Sequence, residues 1–256
     1  MNTFRPWLVL LGFILLWQSI IWGTGVPRFM LPPPLDVLEM LGSHAGLLAQ
    51  HGAVTLSEIL LGLLGGVIVG MASALTMALV PALQPWMLPP LVLGQAIPVF
   101  ALAPILVLWL GYGMASKVAM AILIIYFPVT GALFDGLRRT QTDWLDLAKT
   151  MGAGPLRTLW HIRLPAALPA FGSGLRIAAA VAPIAAVVGE WVGSGAGLGY
   201  LMLHANGRGQ TALMFAAMIV LMAMALALYL TVDRLLIRLT PWAPHGLMTD
   251  KKETIS

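Results

Sequence analysis

Few side chains in this 256-residue sequence are equipped for chemistry, and their spacing narrows that chemistry further. Cysteine is absent, which removes thiolate nucleophiles, thiolate metal ligands and disulfides together. The five histidines, His44, His51, His161, His204 and His245, are scattered. None pairs at the spacing that sets two imidazoles on one helical face, so no zinc site is expected. Ser173 and Ser194 stand between glycines and, with His204, raise an intramembrane serine hydrolase as the enzyme alternative. That chemistry needs a base within hydrogen-bond reach, and no nucleophile elbow or partner order accompanies these serines. The glycine-spaced run Gly193 to Gly199 has no strand ahead of it, and no Gly-x-x-x-x-Gly-Lys-Ser/Thr loop occurs, so this chain carries no phosphate cradle. Gln95, Arg176 and Glu190 are left as polar side chains in apolar surroundings, where polarity is costly and therefore informative. Gln95 reads as a translocation-pathway contact or an interhelical hydrogen bond. Arg176 reads as a cation snorkelling to the cytoplasmic interface, and Glu190 as a pathway residue or one facing external water.

The elements that position these residues are apolar. Hydrophobic residues make up 59% of the chain and charged residues 9%, too few to cover a water-facing surface, so lipid is the expected solvent. The formal net charge of +4 forms no basic stripe interleaved with aromatics, which sets nucleic acid aside. Long apolar runs predict six transmembrane helices, near Trp7 to Gly23, Val54 to Val80, Trp86 to Leu110, Val118 to Leu137, Ile177 to Gly193 and Leu213 to Ile237. The first follows Arg5 as a signal peptide would, but it lacks a small-x-small cleavage site and is read as a retained helix. With the N-terminus inside, eleven of the fourteen basic residues become cytoplasmic, and only Arg28, Lys117 and Arg208 fall outside. Both termini are therefore expected in the cytoplasm.

Two connections exceed simple turns. The external one, Thr24 to about Gly52, carries Leu31-Pro32-Pro33-Pro34-Leu35 before a short helix around Asp36 to Leu47. The internal one runs from Arg138 to about Gly174. Its residues 143–152 predict a short helix capped by Asp143 and ended by Gly152, and Pro155 opens a second helix running towards Ile162-Arg163-Leu164-Pro165. Leu145, Leu147 and Met151 are expected to be exposed on this projection, as a surface for a protein partner or for lipid. Pro89, Pro90, Pro98 and Pro104 disturb the third span, and Gly62, Gly65, Gly66 and Gly70 permit close backbone approach in the second.

The internal segment resembles the EAA loop of binding-protein-dependent ABC permeases, whose pattern is Glu-Ala-Ala, three residues, Gly, nine residues, Ile, one residue, Leu-Pro. Asp146, Leu147 and Ala148 occupy the opening, Gly152 follows at the family's distance, and Ile162, Leu164 and Pro165 close the motif. Asp146 stands where the family prefers glutamate, and Leu147 where it prefers alanine. Leu88-Pro89-Pro90 to Leu110-Gly111-Tyr112-Gly113, and Gly189-Glu190-Trp191-Val192 to Gly197-Leu198-Gly199-Tyr200, look like the branch importing nitrate, sulfonates, taurine and thiamine-precursor pyrimidines. The stretch through His204-Ala205-Asn206-Gly207-Arg208 is most similar to the pyrimidine-precursor members.

The resemblance implies an all-α type I importer permease fold: a first helix and proline-rich loop in 1–52, a permease domain in 53–240 and a cytoplasmic tail in 241–256. It implies a permease dimer in the bacterial inner membrane, two cytoplasmic ABC ATPases that hold ATP and Mg, and a periplasmic solute-binding protein. On this reading Leu145, Asp146, Leu147, Ala148, Met151, Gly152, Ile162, Leu164 and Pro165 contact the ATPase, and the chain binds no cofactor or metal itself. A secondary transporter is the rival transport class. It would show internal repeats or more intramembrane charges for ion coupling, and the sequence reading finds neither.

Overall fold

The computed structural model describes residues 5–243, and those residues form helices and connecting turns without a strand. The N-terminal helix α1 (Arg5–Thr24) occupies the first expected span. The prolines before α2 (Pro34–Ser43) leave the chain extended until Pro34 opens the helix, with Asp36 in its first turn. This helix is shorter than expected, because the chain turns at His44. The helix α3 (Ala45–Leu79) then runs for 35 residues, starting well before the expected Val54 since no proline or strained turn interrupts it.

The third expected span is two helices, α4 (Gln84–Ala96) and α5 (Val99–Leu110), with a bend of 109° between them. The cause is local. Proline at 98 disfavours helical geometry at the preceding residue, and Ile97 is extended with ψ 124°.

The helix α6 (Met114–Arg138) is the central post, flanked by α3 and by α9 (Leu164–Gly193). Gly66 and Gly70 of α3 let it approach so closely that an added Cβ would lie 2.5 Å from Ile125 Cγ2 and 2.8 Å from Val129 Cγ1. On the opposite side, a Cβ at Gly174 of α9 would lie 2.7 Å from the Pro128 carbonyl oxygen. Ile59, Ala121, Ile125, Val129, Ala178 and Ala182 fill the resulting seam.

Between α6 and α9 lie α7 (Thr142–Thr150) and α8 (Pro155–Thr158). The latter passes through a π-turn, Leu159–Arg163, straight into α9, so residues 155–193 form one continuous 39-residue helical rod. The second helix of the internal segment is therefore the start of the fifth span and not a separate element. The last two helices are α10 (Leu198–Gly207) and α11 (Thr211–Leu239), and they pack with α2 around Val37, Leu198, Leu213 and Ala216.

By length and composition four helices among the described residues can cross a membrane alone: α3, α6, the 155–193 rod and α11. The bent α4–α5 pair has the length and composition of a fifth if it crosses as one broken span, and the described apolar part of α1, Leu11–Thr24, is shorter. Leu64 and Ile68 of α3, Leu108 of α5 and Leu226 of α11 point outward, as suits hydrocarbon rather than water. Lys251, Lys252, His245 and most of the expected 241–256 tail lie outside the described residues.

The tight α3–α6 seam gives a direct test. Gly66→Leu should lower thermal stability in detergent by about 1–3 kcal/mol through overpacking. Gly46→Ala, with nothing within 4 Å of the added carbon, should leave the melting transition in place.

Candidate functional site

The segment between α6 and α9 is built to present apolar side chains. On α7, Ala148 is buried and Leu145 half-buried, whereas Leu147 is 60% and Met151 77% exposed. Gln141 occupies the N-cap position, and Asp143 sits in the first turn where it complements the helix dipole instead of capping. Gly152 ends the helix with φ +71°. Its N–H donates to the Lys149 carbonyl at 2.9 Å, and the Ala153 N–H reaches back to the Ala148 carbonyl at 2.9 Å. This is a Schellman termination, in which a left-handed residue is needed and glycine supplies it without strain. The carboxylate of Asp146 is exposed and pairs with Lys149 of its own helix at 3.1 Å.

Beside α7 lies a groove of about 640 Å³, lined by Trp144, Leu147, Met151, Ile162, Pro165 and, from the turn after α11, Trp242. Its sides come from both halves of the motif, so Leu147 and Pro165 line one surface. The π-turn has a cause in the same motif: Pro165 has no N–H to offer the His161 carbonyl, and widening the turn accommodates it. The Leu164 N–H accordingly bonds to the Leu159 carbonyl, five residues back. Within this turn Arg163 donates from Nε and Nη2 to the Leu137 carbonyl at 3.3 and 3.1 Å, and from Nη1 to the Ala78 carbonyl at 3.5 Å.

A second polar centre lies on α3, α6, α9 and α10, and the sequence reading missed it. Lys117 does not face external water: it is buried, and its Nζ meets Glu58 Oε1 at 2.6 Å. Glu58 lies inside a run read as apolar, and it is fully buried. Glu190 is likewise buried, contrary to the expectation of external exposure. Thr55 Oγ1 donates to its Oε1 at 2.6 Å, and the backbone N–H groups of Gly199 and Tyr200 donate to its Oε2. Thr55 Oγ1 also accepts from the Leu198 N–H at 2.8 Å, and His51 Nδ1 accepts from the Gly197 N–H at 2.9 Å. The glycine run after α9 is thus a cradle for a carboxylate, which withdraws Glu190 from solvent and commits its oxygens to its own chain. The available signal was a lone carboxylate in the second span and a lone lysine before the fourth.

The other singled-out residues separate. Arg176 is not a free snorkelling cation: its Nε pairs with Asp233 Oδ1 of α11 at 2.7 Å. Gln95 is exposed at the α4–α5 bend, with Nε2 donating to the Leu91 carbonyl at 3.3 Å. The serines do not form a catalytic pair with His204: Ser173 donates to the Pro169 carbonyl, Ser194 bonds to Ala196, and His204 Nδ1 lies 3.0 Å from the Tyr200 carbonyl.

Similarity to known proteins places the chain in a class. Residues 66–243 match the family of binding-protein-dependent transport system inner membrane components. The chain is 56% identical to a probable ABC transporter permease protein of Haemophilus influenzae, across 91% of this chain and 96% of that one. It is 35% identical to the formylaminopyrimidine transport permease ThiX of Halalkalibacterium halodurans, across 94% and 96% of the two chains. A chain of the MetNI methionine ABC transporter in an inward-facing conformation superposes with a TM-score of 0.69 at 18% identity, over 77% of this chain and 98% of that one. The protein is a multi-pass inner-membrane permease of the ABC importer class. It belongs to the binding-protein-dependent family and has the type I importer fold.

The buried ion pair yields a double-mutant test. Lys117→Met leaves Glu58 without its cation and should destabilise the protein by about 3–5 kcal/mol, whereas Glu58→Gln combined with Lys117→Met should recover most of that loss. Thermal unfolding of purified protein in detergent measures both, and equal melting points for the single and double variants would contradict the pairing.

Proposed function

We propose that this permease imports a pyrimidine precursor of thiamine, of the hydroxymethylpyrimidine type, working as two identical chains. A periplasmic binding protein delivers the solute, and two cytoplasmic ABC ATPases holding ATP and Mg²⁺ supply the work. The observation that carries the coupling is α7 itself, a projecting helix with Leu147 and Met151 outward beside a groove lined by the rest of the motif. The cargo rests on the near-full-length similarity to a formylaminopyrimidine permease.

In this reading Leu145, Leu147, Ala148, Met151, Gly152, Ile162, Leu164 and Pro165 form or shape the ATPase-facing surface. Leu147 and Met151 enter a groove on the ATPase, and Gly152 holds the end of α7 rigid. Asp146 contributes through its pairing with Lys149 and its position on the exposed face. ATP-driven closure of the partners draws the two projections together. The displacement passes along the 155–193 rod, which at 1.5 Å per residue extends about 58 Å from the projection to the outer face. Gln95, at the bend between α4 and α5, lines the solute pathway.

Two outcomes are expected. Leu147→Asp places a charge on an already exposed position, so membrane insertion should persist while the co-expressed ATPase no longer co-purifies; undiminished co-purification would refute the docking surface. In cells, uptake of labelled hydroxymethylpyrimidine should require this permease and should fall in Gln95→Leu at equal expression. Uptake of taurine instead would move the cargo to the sulfonate alternative, and full activity of Gln95→Leu would leave that residue a structural role.

A further inference from the structure

Helix C-termini end in carbonyl groups without intrahelical donors, and their aligned dipoles favour a cation. Leu137 and Ala78 are the penultimate residues of α6 and α3, and both present such carbonyls to one guanidinium. Arg163 spans them, with two donors on Leu137 and one on Ala78. Its own backbone belongs to the π-turn that joins α8 to α9. One side chain therefore fastens the root of the projecting segment to the ends of the two other central helices. Arginine's planar fork reaches two acceptors in fixed directions, which the single ammonium of lysine does not. The surrounding packing is already closed: Phe134, Leu137, Leu159 and Ala167 are buried together around this junction.

We infer that Arg163 is a positioning residue for energy coupling, a strut that makes α3 and α6 follow the projection when the ATPases close. The inference rests on the ATPase-docking reading above and goes beyond it. The docking surface on α7 is joined through the chain to α6 on one side and to α8 and α9 on the other, and Arg163 adds a direct polar tie from the root of α9 to the ends of both α6 and α3. Without it the rod moves against α3 and α6 instead of carrying them.

The test uses the full chain with its co-expressed ATPase. The sequence has no cysteine, so cysteines introduced at Thr150 on α7 and Leu79 at the end of α3 are unique labelling sites. Spin-label distances within one chain, isolated by assembling the labelled permease with an excess of the cysteine-free permease, are compared between the nucleotide-free complex and the complex trapped with ATP and vanadate. With Arg163 in place the distance distribution should be the same in both states. In Arg163→Leu it should shift and broaden on trapping, while ATPase co-purification and ATP hydrolysis persist. Arg157→Leu removes an exposed cation of the same segment and should behave as the parent. Arg163→Lys keeps the charge and guards against a folding defect in the leucine variant; it too should broaden the trapped distribution. An unchanged distribution in Arg163→Lys and in any folded Arg163→Leu would overturn the strut, as would loss of the ATPase from a folded Arg163→Leu, since that would make Arg163 a docking residue. Failure of the unsubstituted chain to retain any ATPase would overturn the docking reading and the strut with it, and is recognised before any substitution is made.

Discussion

A carboxylate removed from water must be met by a cation or by several donors, because each buried ion otherwise costs several kcal/mol. Two such groups, Glu58 and Glu190, stand together in this protein, and the surrounding architecture meets one oxygen of the first and both oxygens of the second. Lys117 neutralises the first through a 2.6 Å contact, and Thr55 with the N–H groups of residues 199 and 200 satisfies the second. The consequence reaches into the backbone. Gly197 has φ +118°, and a Cβ at Gly199 would lie 2.8 Å from Glu190 Oε2, so both positions exclude side chains. Four helices are thereby pinned at one end by groups that hydrocarbon cannot solvate in any other arrangement.

The opposite end obeys the same rule with the sign reversed. There the unsatisfied groups are helix carbonyls, and Arg163 is the donor. Thr140 Oγ1 adds a 3.2 Å bond to Leu137, and the Gln84 amide donates to the Met77 carbonyl at 2.9 Å. Between the two polar ends the contact is apolar and close, made by glycine and alanine faces on either side of α6. Dispersion across such a seam is strong only at short range, so the small residues and the polar locks support each other. The three helices then form a unit that resists shear, which is the property a lever arm needs.

What could be read beforehand divides along physical lines. The spacing from Asp146 to Pro165 was legible because a motif seats its requirements in local backbone geometry: a left-handed residue at 152, a missing N–H at 165. The long apolar helices α3, α6, α9 and α11 were legible from runs with few charges, whereas the first and third expected spans are a shorter apolar helix and a bent pair. The break at Ile97–Pro98 was visible only as a disturbance, since proline determines where a helix fails but not the direction the chain takes next. The polar centre escaped because Glu58 and Lys117 lie 59 residues apart, and Thr55 and Glu190 lie 135 apart. No periodicity joins residues on different helices, and a lone lysine beside an apolar run reads as a water-facing cation until a partner is brought to it. Arg176 was misjudged in the same way, its partner Asp233 being 57 residues distant.

The bend between α4 and α5 supplies the remaining step. In hydrocarbon, backbone that leaves helical geometry is tolerated only where protein covers it or where it lines a water-filled cavity. In a single chain Ile97 is 45% exposed and Gln95, two residues before it, is exposed too, so the described residues provide no such cover. The proposed pairing of two chains thus has a physical reason independent of family: a second copy would enclose the two bends around a shared cavity. The pinned body of α3, α6 and α9 would move about that cavity, while the bend, held to α6 by fewer contacts such as Gly94 against Phe127, would change its shape. In the proposed pair, the part of the structure left exposed in one chain would thus be the part that lines the solute pathway.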